Sequence, residues 1–243
     1  MTDGNIEHDH SPEAITRRLS EGPRHNYLRD WIYGGIDGSV TTFAVVTGVV
    51  GANLSPAIVL ILGFANLVAD GFSMAASNYL GTRAEQEDLQ RIEAIERRHV
   101  ATEPEGEREE VRQIFMQKGF EGEDLDRVVE LMTADRERWV RTMLTEEYGL
   151  PSEVRSAWLA ALSTFSAFLL CGLAPLVPFL FGARAAFWLS AVLTGGVFFT
   201  IGSIKSRWST ISWWRSGLTT LGVGSMAAGL AYLAGLLLKN LAR

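Results

Sequence analysis

A chain of 243 residues with a single cysteine cannot carry a disulfide framework or a thiolate metal cluster. Its residues are 47% hydrophobic with a net charge of −6, and a mean hydropathy of +0.12 arises because long uncharged runs alternate with one dense charged block. Runs of roughly 20 apolar residues cross a bilayer as helices, whereas a soluble domain builds its core from shorter apolar periods. No nucleic-acid partner is expected.

Residues 1–29 form a polar leader, expected on the cytoplasmic side, with Glu7, His8, Asp9 and His10 followed by Arg17, Arg18, Arg24 and Arg29. No secretory signal peptide or organellar targeting feature is apparent, which fits a bacterial inner membrane. The first expected span covers 31–50 and contains one acid, Asp37, among several glycines. A short uncharged loop then leads to Pro56, placed for the first turn of span two. Span two covers about 57–81 and loses its apolar character with no helix breaker, so the helix is expected to continue outward through 83–100.

Residues 85–147 hold 19 Asp/Glu and 10 Lys/Arg, punctuated by Pro104, Gly106, Gly119 and Gly122. Spans three (about 156–181), four (about 183–204) and five (about 217–238) follow. Gly172, Pro175 and Pro178 predict a deformed third span. The domain limits are 1–29 for the leader, 30–83 for spans one and two, 84–151 for the acidic helical domain, and 152–243 for spans three to five. Cationic loop residues set the orientation. Four arginines precede span one, and Lys205, Arg207 and Arg215 lie between spans four and five; the other side offers Arg184, Lys239 and Arg243. The N-terminus and the acidic domain are therefore expected in the cytoplasm, and the C-terminus outside.

Ionisable groups at membrane depth cost about 2.5–3.5 kcal/mol on insertion scales and mark pathways. Asp37 and Asp70 are the acids within the apolar runs. Asn66, Asp70 and Met74 recur at four-residue spacing and share a helix face, while Thr41 follows Asp37 by one turn. Oxygen ligands with one thioether suit Fe(II) or Mn(II), whereas Ca(II) and Mg(II) gain nothing from sulfur. Asn66 and Asn78 could equally tie helices together by hydrogen bonds, whereas the membrane cost favours a functional role for Asp37 and Asp70.

In the acidic block, Glu96 and His99, Glu107 and Glu110, and Met143 and Glu147 fall at helical spacing. Converging helices would make a carboxylate-rich site for Fe(II), Mn(II), Co(II) or Zn(II). Spacing alone also admits a solvated, ion-paired surface. Glu96-x-x-His99 matches half of the di-iron carboxylate pattern, which requires two copies; one is present. A loosely metal-binding His8/His10 leader competes with a plain polar tail.

Residues 29–44, centred on Tyr33-Gly34-Gly35-Ile36-Asp37-Gly38-Ser39, resemble the first-span signature of the vacuolar iron transporter family. Residues 69–80, beginning Ala69-Asp70-Gly71-Phe72-Ser73-Met74, resemble its second-span signature, and Trp213-Trp214-Arg215-Ser216-Gly217-Leu218 fits the approach to span five. The resemblance implies a homodimeric exporter of Fe(II), and often Mn(II), in exchange for protons. It implies a path along the dimer interface using Asp37 and Met74. The family's glutamate two turns before that methionine is Asn66 here, with Asp70 one turn later. The resemblance also implies a cytoplasmic metal site of Glu96, Glu107, Glu110, Met143 and Glu147, with His99 where the family has a further glutamate. A neutral imidazole there favours transition metals and makes binding sensitive to pH.

The expectation is thus an all-α membrane protein with five transmembrane helices and a cytoplasmic helical domain inserted between spans two and three. It is expected to be a metal/proton antiporter and not an enzyme. No prosthetic group is expected; a divalent transition metal is both substrate and bound ligand. The competing expectation is a membrane-anchored ferroxidase, or a metal-buffering or sensing protein, working through the acidic domain.

Overall fold

The computed structural model describes residues 9–21, 26–151 and 155–241, and every regular element among the described residues is helical. Glu7, His8, Arg24, Arg243 and the Lys239 side chain lie outside the described residues. After α1 (Pro12–Glu21), the first apolar run forms α2 (Leu28–Gly51). Pro56 opens α3 (Pro56–Thr102), its fixed φ suited to the first helical turn. With no breaker between the apolar and charged halves, α3 runs unbroken for 47 residues, roughly 70 Å at the α-helical rise. Its outer half is the stalk of the acidic domain.

Helices α4 (Pro104–Gln117) and α6 (Arg136–Glu146) pack on that stalk, and α5 (Gly122–Thr133) packs on α4 and α6. Pro104 begins α4, and Gly119 and Gly122 supply the positive φ values of +92° and +57° that reverse the chain before α5. The Asp135 carboxylate caps α6 by accepting the Arg138 N–H at 2.7 Å. Ile92 and Val100 of the stalk join Val111, Leu125, Val129, Trp139, Val140, Met143 and Leu144 in one apolar core. The acidic block therefore buries a core of its own beneath its charged faces.

The remaining helices are α7 (Ala157–Leu173), α8 (Val177–Leu180), α9 (Ala186–Lys205) and α10 (Trp213–Leu241), with a 3₁₀ turn at Ser206–Trp208. Helix α2 is central, packing on α7, α10, α3 and α9. Its closest approach is to α7, because Gly34 and Gly38 lie directly against the backbone carbonyls of Thr164 and Phe168. A Cβ at either position would collide with main chain, so this small-xxx-small spacing permits the contact.

Helices α2, α3, α9 and α10 are each long and apolar enough to cross a membrane, while the apolar α7 has 17 residues. The deformation expected in span three takes the form of a break. Helix α7 stops before Pro175, which has no N–H to continue the ladder, and the Pro175 carbonyl accepts a 2.7 Å hydrogen bond from Ser190 Oγ of α9.

Candidate functional site

Helix α3 brings Glu96 and His99 to the seam where α4 begins, and α4 presents Glu107 across it. His99 Nδ1 lies 3.3 Å from Glu107 Oε1 and 3.9 Å from Glu96 Oε1. One ligand atom from each of the three residues falls within 4.8 Å of the others. Glu96 is 1% exposed and Glu107 5% exposed, while His99 reaches solvent. The site is thus a pair of sunken carboxylates under an accessible imidazole.

The hydrogen bonding of this pair is incomplete. Tyr148 donates its hydroxyl to Glu96 Oε1 at 2.9 Å. Glu96 Oε2 and Glu107 Oε2 are buried with no hydrogen-bond partner among the described residues. Buried polar atoms are nearly always satisfied, and a buried charge without a partner is costly. Burial, reinforced by the negative charges of Glu96, Glu110 and Glu147, pushes the Glu107 carboxyl up to about 7. Burial also raises Glu147, helped by Glu110 and Glu96 and opposed by His99. Tyr148 is pushed up to about 12 by burial and by its hydrogen bond to Glu96. A proton shared between Glu107 and Glu96, or a cation in its place, relieves the unpaired oxygens. The donors are hard carboxylate oxygens and a borderline imidazole nitrogen, which suit a divalent transition metal.

Of the six expected ligands, Glu96, His99 and Glu107 meet directly. Glu110 and Glu147 lie on the exposed rim, close enough for their charges to act on Glu107. Met143 is wholly buried in the core beside Val140 and Val111. Tyr148 was not visible as a partner in the sequence. Its position beside Glu147, at the end of the Met143-to-Glu147 turn, is the signal that would have pointed to it.

Within the bundle, the Thr41 hydroxyl donates to the Asp37 carbonyl at 2.9 Å and so is committed to its own helix. Thr42 donates to Asn66 Oδ1 at 3.4 Å, and the Asn66 amide donates to the Asp70 carboxylate, giving a chain from α2 to α3. Asp70 is exposed and lies one turn from Asn66, on the face of α3 that reaches Thr42. Met74 lines a cavity of about 250 Å³ together with Tyr33, Ser77, Asn78 and Arg155.

That cavity is anchored by an ion pair the sequence reading passed over. Arg155 Nη1 donates to both Asp30 carboxylate oxygens, at 2.9 and 2.8 Å, and Asp30 is 3% exposed. Asn78 completes the knot by donating to Asp30 Oδ1 at 2.9 Å and Thr164 Oγ1 at 2.7 Å. Asn78 therefore ties α3 to α2 and α7. Asp30 sits at the front of the first apolar run, where a carboxylate reads as a solvated boundary. Opposite charges at the starts of α2 and α7 were the available clue.

A model of the VIT family matches residues 28–236. The vacuolar iron transporter of Toxoplasma gondii is 32% identical over 230 residues, covering 88% of this chain and 75% of that protein. The vacuolar iron transporter of Plasmodium berghei is 29% identical over 258 residues, covering 98% and 93%. Vacuolar iron transporter 1 of Eucalyptus grandis is 31% identical over 208 residues, covering 84% of each.

Proposed function

The chain belongs to the VIT family, and from that premise we propose that this membrane protein is a proton-coupled exporter of divalent metal, carrying Fe(II) and also Mn(II) out of the cytoplasm. The observation that carries the reading is the pair of buried, unpartnered oxygens of Glu96 and Glu107 facing His99. In this account the acidic domain captures the metal on Glu96, Glu107 and His99. Glu110 and Glu147 draw the cation in from the rim, and Met143 of the adjoining core is its thioether ligand. The metal takes the place of the proton on Glu107, so capture releases a proton.

The cargo then passes to Met74 and Asp37. Cation and proton compete for the same carboxylate oxygens, and coupling rests on Asp37 with Asp70, since Asn66 cannot ionise. An exposed Asp70 beside Asn66 on a membrane-spanning helix supports a path shared by two copies, because a carboxylate left facing hydrocarbon is expensive. In this reading α7 and α8 together make the third of five spans, and α4–α6 with the stalk form the cytoplasmic domain.

The test is metal flux by the full chain reconstituted in vesicles with the acidic domain outward, across Fe(II), Mn(II), Co(II) and Zn(II). Entry of Fe(II) coupled to alkalinisation of the interior is expected. Oxygen consumption with Fe(II) and no metal entry would replace this account with a membrane-anchored ferroxidase.

A further inference from the structure

Where α2 enters the bundle beside the end of α9, a cavity of about 480 Å³ opens at the same end of the molecule as the stalk. Its walls are Leu28, Ile32 and Ile36 below, with Tyr33 and Trp208 at the sides and Arg29 and Lys205 at the polar edge. No carboxylate among the described residues lines it. The Arg29 guanidinium lies 5.4 Å from the Tyr33 ring centroid, which holds the charge over an aromatic face at the mouth. Tyr33 is 53% exposed and Trp208 59% exposed. Tyrosine and tryptophan favour the depth of lipid headgroups, where one end of the ring is apolar and the other wet.

We propose that this cavity binds an anionic phospholipid, with the headgroup phosphate held between Arg29 and Lys205 and an acyl chain lying on Ile32 and Ile36. Three features converge on that occupant. Two cations with no carboxylate beside them among the described residues attract the negative charge of a headgroup phosphate. The apolar floor of Leu28, Ile32 and Ile36 offers hydrocarbon contact that a soluble anion cannot use. Its volume lies within the usual range of small-molecule sites, about 300–1,000 Å³. A soluble anion would use the cations and leave the floor unfilled. Arg29 and Tyr33 also line the cavity over Met74, so a bound lipid would brace the wall between the bilayer and that cavity.

The experiment is native mass spectrometry of the full chain, titrated with phosphatidylglycerol and phosphatidylcholine of identical acyl chains. Wild type should retain phosphatidylglycerol preferentially. Each cation near an anionic headgroup contributes about fivefold, so R29Q/K205Q should weaken retention roughly 30-fold. The control R207Q/R215Q removes two cations outside the cavity and should retain the lipid. Ile32→Trp fills the floor without touching charge, and should lose the lipid even though Arg29 and Lys205 remain. Equal retention of the two lipids by wild type overturns the proposal, as does an R29Q/K205Q loss no greater than the control's. Displacement of the lipid by millimolar inorganic phosphate would also overturn it, by making the site a receptor for soluble anions.

Discussion

Replacing Glu107 by Gln separates a site built to hold a cation from an ordinary buried carboxylate. Burial and neighbouring acids lift the Glu107 carboxyl from 4.5 to about 7, a difference worth roughly 3 kcal/mol between its ionised and neutral forms. The folded domain therefore binds more protons than the unfolded chain between those two values. Metal-free stability falls as pH rises through that window, and the cost is fully present above about pH 7. Glu107→Gln keeps the shape and removes the charge. At pH 8 the metal-free acidic domain should gain up to about 3 kcal/mol in local opening free energy. It should also lose at least tenfold in metal affinity, the scale of one hydrogen bond to a charged group.

Amide hydrogen exchange across α4, α5 and α6 of the detergent-solubilised full chain, with and without Mn(II), reads both effects. Wild type should gain protection on adding Mn(II), and more at pH 8 than at pH 6, because the proton competes with the metal. The variant should start better protected and gain little. If metal-free Glu107→Gln is less protected than wild type, or Mn(II) protects both equally, the electrostatic reasoning fails.

Tyr148→Phe removes the hydroxyl bonded to Glu96 Oε1; water can partly replace it at this half-exposed position, so Mn(II) affinity measured by calorimetry should fall by less than about tenfold. Arg155→Met leaves Asp30 buried and uncompensated and should cost about 3–5 kcal/mol in thermal unfolding, while Arg155→Met with Asp30→Asn should recover much of it. Gly38→Ala places a Cβ against the Phe168 main chain, so the α2–α7 contact should open and the yield of monodisperse protein should collapse. Gly48→Ala, which meets nothing within 4 Å, is the control that should fold normally.

The helical layout was legible because its signals are local. Long apolar runs, Pro56 and Pro104 at helix starts, and the glycines at 119 and 122 each act within a turn of where they sit. The uninterrupted α3 was legible too, since nothing between Gly81 and Thr102 could stop a helix. Site residues were harder. Glu96 and His99 share a helix and showed as a spaced pair, but their meeting with Glu107 depends on how α4 docks on the stalk. That docking is set by a core of Val111, Trp139 and Met143, drawn from different helices. The Asp30–Arg155 pair joins residues 125 positions apart, and no local pattern reports such a distance. Tyr148 escaped notice because a phenol becomes a ligand partner only through the fold.

The central claim is that a metal ion crosses the membrane past Asp37 in exchange for protons. Its most direct test is Fe(II) entry and interior pH, followed together in vesicles holding wild type or Asp37→Asn at matched protein density. Wild type should move metal inward while the interior alkalinises, and Asp37→Asn should show neither movement while its acidic domain still binds Mn(II). Unchanged Fe(II) entry in Asp37→Asn, or entry by wild type with no accompanying proton movement, would contradict the account.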